Sequence, residues 1–157
     1  MIPLKEAIET GAWLQAEYNA HYCDATNKDM VIRIKPRDFF KVDIRNAKIK
    51  SPFEVLTKDS NIWALKADIV SLFKEELFFN IIRTNILLAD DDEYLFNTVY
   101  DLALFSSPLG NDIGLDKSGI FSKITPKIPR PHTFVFELPD LFDDWKLTFK
   151  NGKIFEV

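Results

Sequence analysis

The chain has 157 residues, 46% of them hydrophobic, and a formal charge of −4 at pH 7, ordinary figures for one soluble globular domain. That acidic balance argues against a general nucleic-acid binder, which needs a basic face to displace phosphate counterions. The lone Cys23 excludes an internal disulfide, and no stretch approaches the roughly 20 apolar residues of a membrane helix.

The N-terminal stretch has the period of a helix. Leu4, Ala7, Ile8, Gly11, Leu14, Tyr18 and Tyr22 fall along one helical face, Pro3 suits a first turn, and Glu6 complements its positive end. Residues 1–24 are therefore expected as one amphipathic helix, laid against the sheet or against a partner, with Gly11 weakening it by roughly 1 kcal/mol. Met30 to Lys35 alternates briefly before Pro36 and reads as an edge strand or a lead-in. Phe40, Val42 and Ile44 alternate with charged residues, and the shift to Ala47 and Ile49 suggests a bulge. Phe53 to Leu56 is a short strand after Ser51-Pro52.

Two long strands follow and organise the rest. Trp63, Leu65, Ala67 and Ile69 occupy alternate positions, as do Ile82, Thr84, Ile86 and Leu88. Lys74-Glu75-Glu76 separates the two runs, and Asp90-Asp91-Asp92 ends the second. Asn97 to Phe105 fits either period and is expected as strand from its context. Ser106 to Ser118 is the longest turn-rich stretch and reads as a mobile loop. Phe134, Phe136 and Leu138 share one side of a strand that Pro139 closes, and Trp145 to Phe149 is another. Asn151-Gly152 signals a hairpin turn into Ile154 to Val157. The fold expected is mainly β: a sandwich over residues 30–157, preceded by the helix, in a single domain.

The order of these features resembles a known family. The strand F-K-V-D-I-R-N-A-K-I leads to a Trp-containing strand ending V-S-L-F-K-E, then to I-L-L-A-D-D-D-E-Y, a loop, Pro126, F-V-F-E-L-P and W-K-L-T-F. This resembles the immunoglobulin-like β-sandwich domain of unknown function found in exported bacterial proteins, of the type related to immunoprotective extracellular antigens. The resemblance spans roughly residues 38 to 150. The acidic turn ending in Tyr94 matches the family's hairpin closure, and Phe136-Glu137-Leu138-Pro139 matches its late Phe-x-x-Pro. Asp92 and Lys127 stand where the family usually has Gly. The family has no settled activity, so the resemblance implies a fold and transfers no functional residue.

Candidate sites are few. Asp90, Asp91, Asp92 and Glu93 could offer oxygens to Ca²⁺, but they lack the alternate Asp, central Gly and twelfth-position Glu of a calcium loop, so no metal is expected. His21, Cys23, Asp24 and the distant His132 provide neither the paired ligands of a zinc site nor a recognisable nucleophile motif. Gly110 to Gly119 places Asp116 before Lys117 where a phosphate loop needs Gly. No cofactor and no catalysis are expected.

These readings point to a non-enzymatic protein-interaction module. Its partner would meet an aromatic stripe carrying Leu14, Tyr18 and Tyr22 and a polar rim with Asp90, Asp91 and Asp92, joined by Asp140 to Asp144. The alternatives are an acidic immunity-type inhibitor of a basic toxin, for which charge would speed association, and a small hydrolase. The N-terminus lacks a basic and then apolar leader, so the chain as written reads as cytoplasmic, and an exported protein with its leader removed would read the same. The sequence leaves the oligomeric state open.

Overall fold

In the computed structural model, which describes residues 1–21, 26–44, 60–100, 102–119, 122–140 and 144–157, alternation of apolar residues is the dominant organising pattern. In chain order come β1 (Ile2–Pro3), α1 (Leu4–Thr10), β2 (Leu14–His21), β3 (Asn27–Val42), β4 (Ser60–Ser71), β5 (Leu77–Phe78) and α2 (Asn80–Arg83). There follow β6 (Ile86–Ala89), β7 (Leu95–Asn97), α3 (Leu102–Phe105), α4 (Pro108–Asp112) and a 3₁₀ turn (Leu115–Lys117). β8 (Lys123–Ile124), β9 (Arg130–Pro139), β10 (Lys146–Phe149) and β11 (Gly152–Glu156) complete the order.

The strands form a five-stranded sheet, β11-β2-β3-β4-β9, and a four-stranded sheet, β1-β10-β6-β7; β5 and β8 make a small third pair. Every pair of these strands is antiparallel; an isolated parallel bridge joins Ser71, at the end of β4, to Pro126. The main core lies where side chains of the two large sheets meet. Tyr18, Met30, Ile32, Leu65, Phe134 and Phe136 come from one sheet, and Ile86, Leu88, Leu147 and Phe149 from the other. A second core covers the opposite face of β3, β4 and β9. There Val42, Ile62, Ala64 and Val135 pack with Leu104, Phe105, Ile113 and Leu115 from the helical stretch. This explains why neighbouring residues of β4 are both buried, Leu65, Ala67 and Ile69 serving the main core and Ile62 and Ala64 the second.

The mainly β expectation and the helix near the N-terminus both hold, but several boundaries move for physical reasons. The helix is Leu4–Thr10 rather than residues 1–24. Gly11 does not merely weaken it: at φ 64° it adopts the left-handed C-cap that ends it. Leu14 and Tyr18, expected on the helix, lie on β2 with Ala16 and Ala20 buried beside them. A spacing of four fits both periods, and the two alanines decide for the strand.

Pro36 does not end a strand either. β3 runs through it, and the register with β4 shifts between Pro36 and Asp38, leaving Arg37 as the extra residue of a bulge. The bulge changes which residues face which core. Before it, the even residues Met30, Ile32 and Ile34 enter the main core; after it, Phe39 turns that way while Phe40 and Val42 join the second core.

The second long strand expected from Ile82 to Leu88 is a helical turn, α2, followed by the shorter β6, and it faces β4 across the core rather than pairing with it. Asn97 to Phe105 leaves β7 and ends in α3, and Ser106 to Ser118 is α4 and the 3₁₀ turn, packed on the second core rather than a loop. Asn151-Gly152 is not a hairpin turn, because β10 and β11 belong to different sheets. Gly152 passes so close to β2 that a Cβ there would collide with the Glu17 carbonyl and Tyr18. The bulge expected near Ala47 and Ile49 and the strand from Phe53 to Leu56 lie outside the described residues.

The outer edge of β9 is covered rather than left open. The Thr133 N–H donates to Ser118 Oγ at 2.9 Å, and the Val99 N–H donates to the Val135 carbonyl at 2.8 Å. Thr133 Oγ1 also donates to the Ile113 carbonyl at 2.7 Å. Covering an edge strand in this way protects it from pairing with other chains.

Candidate functional site, an aromatic cleft beside the N-terminal helix

The helix α1 is fixed at both ends. At its start, β1 pairs with β10 and the Leu4 N–H donates to the Trp145 carbonyl at 2.9 Å. At its end, the Gly11 cap turns the chain into β2. Leu4 and Ala7 are buried against the main core, and Ile8 is half-buried beside them. The helix does not seal the core completely. Between it and the five-stranded sheet lies a cleft of about 410 Å³, lined by Leu4, Lys5, Ile8 and Glu9 of α1, Asp38 and Phe39 of β3, Trp63 of β4, and Trp145.

The floor is aromatic. Phe39 and Trp63 stack with centroids 4.9 Å apart and planes at 18°. Trp145 is buried and meets Phe96 edge-on, with centroids 5.2 Å apart. Phe39 reaches this floor only because the Arg37 bulge turned its side of the strand inward. Lys41, directly opposite Trp63 in the ladder, holds its ammonium 5.8 Å from that ring's centroid.

The rim is charged. Lys5, Glu9 and Asp38 are exposed, and neither carboxylate forms an ion pair among the described residues. Arg37, the bulged residue, is engaged with Asp68 at 2.6 Å. The site thus combines half-buried apolar surface with two carboxylates and one ammonium at its rim.

The residues expected to bind a partner fall elsewhere. Leu14 and Tyr18 are 1% and 3% exposed, so neither can meet another molecule. Tyr18 stacks obliquely on Phe149 at 5.0 Å, its hydroxyl has no partner among the described residues, and burial raises its phenol pKa. Tyr22 lies outside the described residues, as do Cys23 and Asp24. Asp90, Asp91 and Asp92 form the tip of the β6–β7 hairpin, as expected, but line no part of the cleft. The Asp90 carboxylate accepts from the Asp92 and Tyr94 N–H groups at 3.0 and 2.9 Å, which gives it a turn-forming role. Asp140 accepts a hydrogen bond from Asn61.

Among the described residues, no three His, Cys, Asp or Glu side chains converge as a metal ion would require. His21 is hydrogen-bonded to Asn27 at 2.6 Å. His132 is buried, stacked on Phe79 at 4.4 Å and 12°, and both its nitrogens lack partners among the described residues. Burial first, and Arg130 second, lower its pKa to about 4. It is a neutral core residue at ordinary pH.

Sequence reading missed Phe39, Ile8 and Trp145 as site residues. Trp145 stood at a strand boundary with no partner legible in the chain. Phe39 was hidden by the wrong parity, and Pro36 inside an alternating run was the one available signal of the bulge.

No family model matches the chain, and no curated protein matches it. Among solved structures it is similar to one described as a putative lipoprotein from Staphylococcus aureus subsp. aureus NCTC 8325, at 16% identity and a TM-score of 0.55, covering 88% of this chain and 92% of that one. At that identity the likeness is one of fold: a mainly β chain built in a similar arrangement over nearly its whole length.

Proposed function

We propose that this chain is a non-enzymatic binding module whose cleft receives an exposed segment of a protein partner. The observation that carries the reading is the cleft itself, about 410 Å³ with Phe39, Trp63 and Trp145 in its lining. That volume accommodates one or two large side chains, and aromatic floors of this kind supply much of the energy in protein interfaces. Glu9 and Asp38 outnumber Lys5 at the rim, which favours a segment pairing an apolar side chain with a basic neighbour.

Selection of displayed peptides against the chain tests this. Enriched peptides should carry an aromatic or aliphatic residue beside Lys or Arg, and should change the fluorescence of Trp63 and Trp145. The double variant Glu9→Lys with Asp38→Lys should weaken them by at least about tenfold while leaving the melting temperature in place. Peptides that bind this variant equally well and leave the fluorescence unmoved would refute the proposal.

The acidic-inhibitor reading draws on a different feature. Tyr94 and Leu95 are 68% and 52% exposed directly beside Asp91, Asp92 and Glu93 on the β6–β7 hairpin, an apolar tip ringed by negative charge. An acidic tip of this kind suits a basic partner surface. Reversing Asp91 and Asp92 to Lys should then slow association with such a partner, most strongly at low salt.

The immunoglobulin-like form of the fold takes support from two antiparallel sheets sharing one core. The β2-β3-β4 meander in a single sheet departs from the immunoglobulin order, in which the third strand joins the opposite sheet. No helix among the described residues is long and apolar enough to cross a membrane, and the description of the structural neighbour favours an exported location.

A further inference from the structure

Away from the cleft, Arg83 at the end of α2 carries a charge with no anion paired to it among the described residues. Its Nε and one Nη donate to Asn80 Oδ1 at 3.1 and 2.7 Å, and its other Nη donates to Thr98 Oγ1 at 3.2 Å. Thr98 Oγ1 in turn donates to the Arg83 carbonyl at 2.8 Å, and the ring of Tyr100 lies 5.4 Å from the guanidinium carbon. The group is half-buried and immobilised from three directions, yet it forms no ion pair among the described residues. A guanidinium has five N–H donors, of which these contacts use three. One donor remains on each terminal nitrogen, available to the oxygens of a carboxylate or phosphate.

We propose that Arg83 is the receptor for an oxyanion, a carboxylate or phosphate group carried by a ligand, at the junction of α2 with the Thr98–Tyr100 segment. Asn80 and Thr98 act as positioning residues: they hold the fork in one orientation, so binding loses little side-chain entropy. Neutral acceptors alone leave a desolvated cation uncompensated, and burial does lower the pKa of this guanidinium, opposed by the smaller effect of Tyr100. An arriving anion supplies the missing charge. The site is separate from the aromatic cleft, and neither depends on the other.

The test is a titration of the intact chain, labelled with ¹⁵N-arginine, with sodium phosphate and separately with sodium acetate, ionic strength being held constant with chloride. A saturable shift of the Arg83 Nε–H resonance is expected with at least one anion, together with a rise in melting temperature. Tighter binding of phosphate assigns the ligand group to phosphates, and tighter binding of acetate assigns it to carboxylates. Arg83→Lys keeps the charge but loses the fork and should weaken binding by about tenfold; Arg83→Gln should abolish it. If either variant fails to fold, the resonance of the unmodified chain decides. An Arg83 resonance that stays fixed or drifts without saturation, or a Gln variant that gains as much thermal stability as the parent, overturns the proposal.

Discussion

The buried His132 gives the fold a specific acid sensitivity. Its ring is 6% exposed, lies flat on Phe79 and has no hydrogen-bond partner among the described residues, so the native state holds it neutral. Its pKa falls from 6.5 in a free chain to about 4 in the fold. Between those values the unfolded chain binds a proton that the native chain refuses, so acid favours unfolding. Stability from this group is therefore complete above pH 6.5, declines as pH falls toward 4, and is lost below it. At about 1.4 kcal/mol per pH unit, that window corresponds to roughly 3 kcal/mol, a large share of the 5–15 kcal/mol typical of a domain. His132→Leu removes the titrating group at similar volume. It gives up the stacking on Phe79, worth about 1 kcal/mol, but relieves two unsatisfied nitrogens, each costing about 1–3 kcal/mol. The variant should be at least as stable as the parent at pH 7. Urea unfolding of both chains at pH 7, 6, 5 and 4 isolates the histidine, because the carboxylates contribute equally to each. The gap between the two should widen by roughly 3 kcal/mol on descending that range. A gap independent of pH, or a native-state His132 that titrates near 6.5 by NMR, would refute the reasoning.

Two other perturbations follow from the packing. Phe136→Ala removes a fully buried ring between the sheets and should cost roughly 3–5 kcal/mol by urea denaturation, whereas Trp63→Ala, at a half-buried position, should cost less and loosen Phe39. A Phe136 cost below about 1 kcal/mol would mean that its face is wrongly assigned. Removing residues 1–24 deletes β2, which pairs with both β3 and β11, so the truncated chain should lose its cooperative melt and aggregate; a stable monomer would contradict the observed sheet order.

How far the sequence discloses the molecule depends on whether a pattern is local. Where alternation was uninterrupted, as in Trp63 to Ile69 and Phe134 to Leu138, strand and buried face both follow from composition alone. The Asp90 hairpin was legible for the same reason, since side-chain capping by Asp90 is a short-range interaction. Partner choice was not legible. Nothing in Asn151-Gly152 says whether the strands it joins pair with each other or diverge into two sheets, because that depends on β2 and β6, far away in the chain. The site suffered most. It is assembled from α1, β3, β4 and the residue before β10, and sequence distance separates every wall from the next. One local error, reading the period through Gly11, moved Leu14 and Tyr18 from a core strand to the apolar stripe of a helix.

The Arg37 bulge allows that dependence on register to be tested directly. Pro36 pairs with Ala67 and Asp38 with Lys66, so Arg37 is surplus to a ladder that is continuous on either side of it. Deleting Arg37 should leave Ile34 opposite Ile69 and Phe39 opposite Leu65, keeping both cores filled. The loss is then the ion pair with Asp68, whose arginine side is more than half exposed, and such pairs contribute at most about 1 kcal/mol. Deleting Arg33, only four residues earlier, has the opposite consequence. It forces the residues on one side of the gap to exchange faces, driving Met30 and Ile32 out of the main core or Ile34 and Pro36 out of their places. Each buried aliphatic side chain lost this way costs on the order of 2–3 kcal/mol, enough in combination to unfold the chain. Thermal melts of the two deletions should therefore differ sharply: a cooperative transition within a few degrees of the parent for the Arg37 deletion, and none for the Arg33 deletion. Equal damage from both would mean that the bulge is not a removable insertion but a strained element on which the aromatic floor of the cleft depends, and Phe39 would then have to be held in place by the backbone of Arg37 rather than by its pairing with Leu65.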